Sequence, residues 1–274
     1  MCSACKQWLL FVGPEKTGTS WIDKILRSAE GTCLPKSTKE TYFFDRHFDR
    51  GLPWYAGQFP DPDELLVETA PSYFFADGVP KRILETLPNA QIVVTLRDPV
   101  KRAVSHYLNL RKYGLTDAGI GDAIERFPRI VDRSIYADRL KKWLRLFGEE
   151  NVHVLFYEEV IGDTSRLLAS VPQLEEIEPD LVTDPGRVNA ASVARSSGLG
   201  RFGQRAARWL RRNGLHGPVN YGKRLGMKRI LFSGGSAPRK KHLEAALAPW
   251  HPAFKKDREA LTRIVGRRPP WRAG

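Results

Sequence analysis

A lysine inside a glycine-bracketed loop, an arginine followed eight residues later by a serine, and two carboxylates around an aromatic run are the parts of this 274-residue chain suited to chemistry. The lysine is Lys16, within Gly13-Pro14-Glu15-Lys16-Thr17-Gly18-Thr19-Ser20-Trp21. Gly13 and Gly18 have the spacing of a nucleoside-triphosphate loop, but that pattern continues with a lysine, and Thr19 stands in the lysine position. Lys16, two residues before the second glycine, meets the terminal group of a bound anion from the other side, and no acidic position for holding a metal is evident. The arginine is Arg97 and the serine Ser105; an always-charged guanidinium and a hydroxyl can grip one phosphate. A loop for one phosphate and a clamp for another match a nucleotide phosphorylated at both its 5' and 3' positions. The carboxylates are Glu40 and Asp45, on either side of Thr41-Tyr42-Phe43-Phe44. A glutamate with its ordinary pKa of about 4.3 is a poor base at neutral pH unless burial or a neighbour raises it.

These groups need elements to hold them. The apolar residues 9–12 read as a buried strand and 20–29 have helical periodicity, so the lysine loop joins a strand to a helix start, where unpaired backbone N–H groups and the positive end of the helix dipole favour phosphate. Residues 39–45 are expected to be extended, 65–74 to contain a second buried strand, and 79–87 to be helical. Residues 91–96 form the clearest parallel-type strand, continuously apolar as a strand covered on both faces must be. Pro99 opens a helix that Asp98 can cap, which sets Arg97 at the carboxyl end of a strand, where open α/β sheets bind ligands, with Ser105 about two turns on. Residues 132–147 read as an amphipathic helix with no chemistry, and His106, one step from Ser105, faces elsewhere. The fold expected is α/β: a P-loop-like three-layer arrangement with a central parallel sheet flanked by helices, forming one domain over 1–274.

The stretches 14–21, 40–45, 68–74 and 97–107 resemble, in order and approximate spacing, the motifs of carbohydrate sulfotransferases that use 3'-phosphoadenosine 5'-phosphosulfate, most of all the heparan-sulfate type, in what reads as a bacterial member. The resemblance implies that Lys16 contacts the bridging oxygen and sulfonate. It assigns the 5'-phosphate to Thr17, Gly18, Thr19, Ser20 and Trp21, and the 3'-phosphate to Arg97 and Ser105. Glu40 matches the catalytic base, Asp45 would hold or tune the acceptor, and Tyr42, Pro71 and Ser72 fall on the acceptor side. Arg195 would close over the 3'-phosphate from a late loop, the strand ending in Tyr157-Glu158 would be mainly structural, and the tail with Phe254, Asp257, Leu261 and Trp271 would be the closing helix. Released adenosine 3',5'-bisphosphate and no required metal follow from the same likeness. Two positions depart from the heparan pattern: Glu68-Thr69-Ala70-Pro71 stands for Glu-Lys-Thr-Pro, and Tyr42 stands for a histidine. Both bear on the acceptor, a hydroxyl or amine of a carbohydrate, glycolipid or small molecule; neither touches the nucleotide.

Composition sets the remaining bounds. The net charge is +13, yet residues 185–243 carry fourteen Lys or Arg and no Asp or Glu, so the rest of the chain carries about −1. Residues 200–215 place Phe202, Trp209 and Leu210 on one helical face ringed by arginines, which suits an anionic lipid surface, a lid over a polyanionic acceptor, or a surface helix docked by its tryptophan. Cys2, Cys5 and Cys33 are too few for a disulfide framework, no apolar run approaches a membrane span, and the chain reads as cytoplasmic, with a peripheral contact to a membrane or polyanion offered by 185–243. Nucleic-acid motifs are absent, so no nucleic-acid partner is expected. The competing readings are a P-loop kinase using ATP and a basic membrane-binding adaptor built on a nucleotide fold.

Overall fold

The computed structural model describes residues 7–61, 64–178 and 239–271. The described residues divide into two compact units, one of residues 7–61, 64–98, 135–178 and 253–271, the other of 99–134 and 239–252.

The first unit is built on a five-stranded parallel sheet: β1 (Trp8–Phe11), β2 (Thr32–Cys33), β3 (Leu65–Thr69), β4 (Gln91–Leu96) and β5 (Val152–Phe156), in the order β2-β3-β1-β4-β5. Side chains alternate across it. Trp8, Leu10, Val12, Leu66, Ile92, Val94 and Leu96 join one buried cluster, with Phe43, Tyr55, Ile83, Trp143 and Leu261 from the covering helices. Leu9, Phe11, Val67 and Val93 join a second, with Trp21, Ile22, Ile25 and Leu26 of the helix Thr19–Ser28. Both faces are covered, hence the continuous apolar strands and the three layers expected from them.

Phe11 is in register with Thr69 on one side and Val93 on the other, so the segments leaving β1, β3 and β4 emerge at one carboxyl edge, and the order turns back on itself at β1. Gly13 is required there. A Cβ at position 13 would sit 2.6 Å from the backbone N and 2.7 Å from the backbone O of Thr95, so the loop lies directly on β4. Gly13→Ala should therefore cost at least ~2 kcal/mol of stability, since only backbone movement relieves the clash; urea unfolding monitored by circular dichroism measures it, and a variant as stable as the parent would refute it.

Two local expectations are corrected. Residues 39–45 are not extended: Phe43–Arg46 is a helical turn entered through Tyr42 at φ 55°. A strand would send Phe43 and Phe44 to opposite faces, whereas the turn puts both in one aromatic cluster, with Phe43 stacked 4.6 Å from Tyr55 and edge-to-face with Phe44 at 4.8 Å. The helix expected over 132–147 is interrupted, with Arg129–Asp132 and Ala137–Phe147 as separate helices. The second starts where the Asp257 carboxylate accepts the backbone N–H groups of Tyr136 and Ala137, both at 2.9 Å.

In the second unit the helix Pro99–Lys112 carries a fully buried Arg102 that donates to Ile130 O at 3.1 Å, Ser134 Oγ at 3.0 Å and His106 Nδ1 at 2.8 Å. Because arginine only donates, that ring nitrogen accepts, and His106 is packed into the unit's interior. Among the described residues no helix is long and apolar enough to cross a membrane. Arg195 and the basic helix expected at 200–215 lie outside the described residues.

Candidate active site

The loop after β1 is closed by Thr17, whose hydroxyl donates to Pro14 O at 2.6 Å. Gly18, at φ 94°, starts the helix Thr19–Ser28 with no side-chain cap, and its carbonyl accepts Trp21 N and Ile22 N at 2.8 and 3.1 Å. The first N–H groups of that helix have no partner within it. Gly18 is held to glycine twice, by its left-handed φ and by the Tyr157 ring, 2.9 Å from where a Cβ would lie. Lys16 itself sits at φ 78°, a costly conformation for a residue with a side chain. In this conformation its carbonyl takes the Arg97 guanidinium at 3.0 Å.

Arg97 leaves β4 at the same edge. Its guanidinium lies 4.2 Å from the Tyr157 ring centroid, its carbonyl accepts the Tyr136 hydroxyl at 2.9 Å, and its Nε is buried with no hydrogen-bond partner. The next residue is fixed too: Asp98 N donates to Glu158, whose other oxygen takes Trp271 Nε1 at 2.9 Å. Glu158 is thus structural, as the late strand end is expected to be, while Tyr157 touches both Gly18 and Arg97. Ser105 is half-buried on the helix Pro99–Lys112 of the second unit.

Glu40 is half-buried, and its pKa is pushed up to about 7, chiefly by burial; Lys39 opposes the rise, and Glu15, Glu68 and Asp45 add to it. This meets the condition for a base at neutral pH. Its position is built on a residue that the sequence motifs include but give no role. Glu68 of β3 is fully buried; one carboxylate oxygen accepts Thr41 N at 2.7 Å and Thr41 Oγ1 at 2.6 Å, the other the hydroxyls of Tyr55 at 2.9 Å and Tyr73 at 3.2 Å. A carboxylate inside Leu65-Leu66-Val67-Glu68-Thr69 was the available signal, since a buried charge must be paired or hydrogen-bonded. From the other side, Arg27 pairs with Asp23 at 3.1 Å and reaches Pro35 O and Thr38 O, which ties the approach to Glu40 to the first helix.

Asp45 Oδ1 and Ser72 Oγ are both buried, and burial raises the Asp45 pKa against the pull of Arg46 and of the Ser72 hydroxyl beside it. Tyr42 lies beneath the Arg46 guanidinium, 4.2 Å from the ring centroid, and Pro71 is buried in the turn after β3. Among the described residues no group of three or more His, Cys, Asp or Glu is placed to hold a metal.

A parallel α/β sheet whose first strand feeds a glycine loop and a helix N-terminus defines a P-loop-like protein. More narrowly, this chain belongs to the sulfotransferase domain family, which matches residues 6–183. Heparan sulfate glucosamine 3-O-sulfotransferase 6 of Mus musculus is 32% identical over 165 residues, 56% of this chain and 47% of that protein. Bifunctional heparan sulfate N-deacetylase/N-sulfotransferase 3 of Homo sapiens is 34% identical over 193 residues, 62% of this chain and 22% of that protein. The chain therefore spans about half or less of the length of these curated relatives. A sulfotransferase of Alicyclobacillus acidocaldarius shares the fold, with a TM-score of 0.61 at 19% identity over 94% of this chain and 95% of that one.

Proposed function

We propose that this chain moves the sulfonate of 3'-phosphoadenosine 5'-phosphosulfate to a hydroxyl or amine of a carbohydrate acceptor and releases adenosine 3',5'-bisphosphate. The observation that carries the reading is a carboxylate with a pKa near 7, Glu40, set beside an anion-ready loop that contains Lys16. The donor fits the residues present: the loop, closed by Thr17, offers helix N-terminal N–H groups and the hydroxyls of Thr19 and Ser20, with Trp21 behind them, and Arg97 keeps a buried, unpartnered Nε. Arg97 is assigned to the 3'-phosphate; Ser105, and Arg195 outside the described residues, carry the same assignment from the family likeness. No metal enters the scheme.

In the transfer the acceptor oxygen or nitrogen forms a bond to sulfur as the bond from sulfur to the 5'-phosphate oxygen breaks. Glu40 takes the acceptor proton, and Lys16 offsets the charge growing on the departing phosphate oxygen. Asp45 and Ser72, buried side by side, orient the acceptor, and Tyr42 and Pro71 shape its side of the site. The test is transfer of labelled sulfonate from the donor across carbohydrate, glycolipid and small-alcohol pools. Label is expected in carbohydrate; label in small alcohols alone would overturn the acceptor class, and label in nothing would overturn the activity.

A further inference from the structure

An ammonium group aimed at the N-terminus of a helix faces the positive end of the dipole, a poor place for a cation unless an anion is seated between them. Lys39 is in that position. Its Nζ donates to Thr19 Oγ1 at 3.1 Å and lies 3.5 Å from Ser20 Oγ, the first two residues of the helix Thr19–Ser28. Neither partner is charged. Burial pushes the Lys39 pKa down, Glu40 and Asp23 act against that, and Arg27 adds to it. Asp23 is already engaged, by Arg27 at 3.1 Å and by the Thr69 hydroxyl at 3.0 Å.

Two cations of related patterns are missing from this chain: Thr19 stands where a nucleoside-triphosphate loop has its lysine, and Thr69 where the heparan-type pattern has one. Lys39 reaches the first of these positions directly, and the Thr69 hydroxyl is turned to Asp23. We propose that Lys39 is the second cation of the donor loop: it holds the Thr19 and Ser20 hydroxyls and supplies charge to the 5'-phosphate bound there, from outside the loop, where a nucleoside-triphosphate loop has its lysine at the Thr19 position. The proposal rests on the sulfotransferase reading, specifically on a 5'-phosphate seated at this loop.

Calorimetric titration of the full chain with adenosine 3',5'-bisphosphate and with adenosine 3'-monophosphate, which lacks the 5'-phosphate, tests it. Lys39→Met should weaken the bisphosphate about tenfold or more, the scale of one charge-assisted contact, and leave the monophosphate unchanged; Lys39→Arg should recover part of the loss. If the parent chain binds the bisphosphate and Lys39→Met binds it equally well, this proposal alone is overturned. Equal weakening of both nucleotides would expose a general lesion in the fold and overturn it as well. If the parent binds neither, the donor reading falls and takes the proposal with it.

Discussion

Lys16→Ala should lower kcat for sulfonate transfer by about 10²–10³-fold, the cost of deleting one preorganised group that meets charge formed only in the transition state. Affinity for adenosine 3',5'-bisphosphate should fall much less, because the loop N–H groups and hydroxyls remain. The left-handed backbone at position 16 supplies a control. Lys16→Gly removes the same amine while relieving the strain, so it should be as inactive as Lys16→Ala and melt at a higher temperature. Initial rates with labelled donor and thermal melts of the two variants check both halves; a Lys16→Gly enzyme that keeps parental turnover would remove Lys16 from the chemistry.

Glu40→Gln should cost about 10²–10⁴-fold in kcat/KM, the range for a lost general base. With a pKa raised to about 7, the parent should lose activity as pH falls through 7, and the residual activity of Glu40→Gln should not show that limb. Stability moves in the opposite sense. Between the ordinary value of 4.5 and about 7 the folded chain keeps a proton on Glu40 that the unfolded chain has released, so this residue's contribution to stability falls as pH rises through that window. Glu40→Gln should therefore melt above the parent at pH 8 and lose that advantage near pH 4. A pH–rate profile with no limb near 7 would show that another group takes the proton.

The strand, loop and helix around Lys16 were legible because local physics writes them: an apolar run, two glycines at fixed spacing, and a 3.6-residue period. Arg97 was legible for a similar reason, as a strand end closed by Pro99. What escaped notice depends on contacts distant in sequence. Glu68 is explained only by Thr41, Tyr55 and Tyr73, which lie 27, 13 and 5 residues away. Tyr157 touches Gly18 and Arg97 only once β5 has joined the sheet beside β4. The turn at Phe43–Arg46 hid behind a strand-like aromatic composition, because burial of both phenylalanines on one side outweighs their propensity for extended backbone.

Asp257 and Trp271, near the end of the chain, hold Tyr136 and Glu158, and these in turn fix the backbone at Arg97 and Asp98. The anchors stand 121 and 113 residues beyond the partners they hold, whereas the lysine loop closes within four residues of itself. The arginine is therefore secured later in synthesis than the loop residues are made, and a substitution at Asp257 or Trp271 should loosen the grip on the nucleotide without touching the loop.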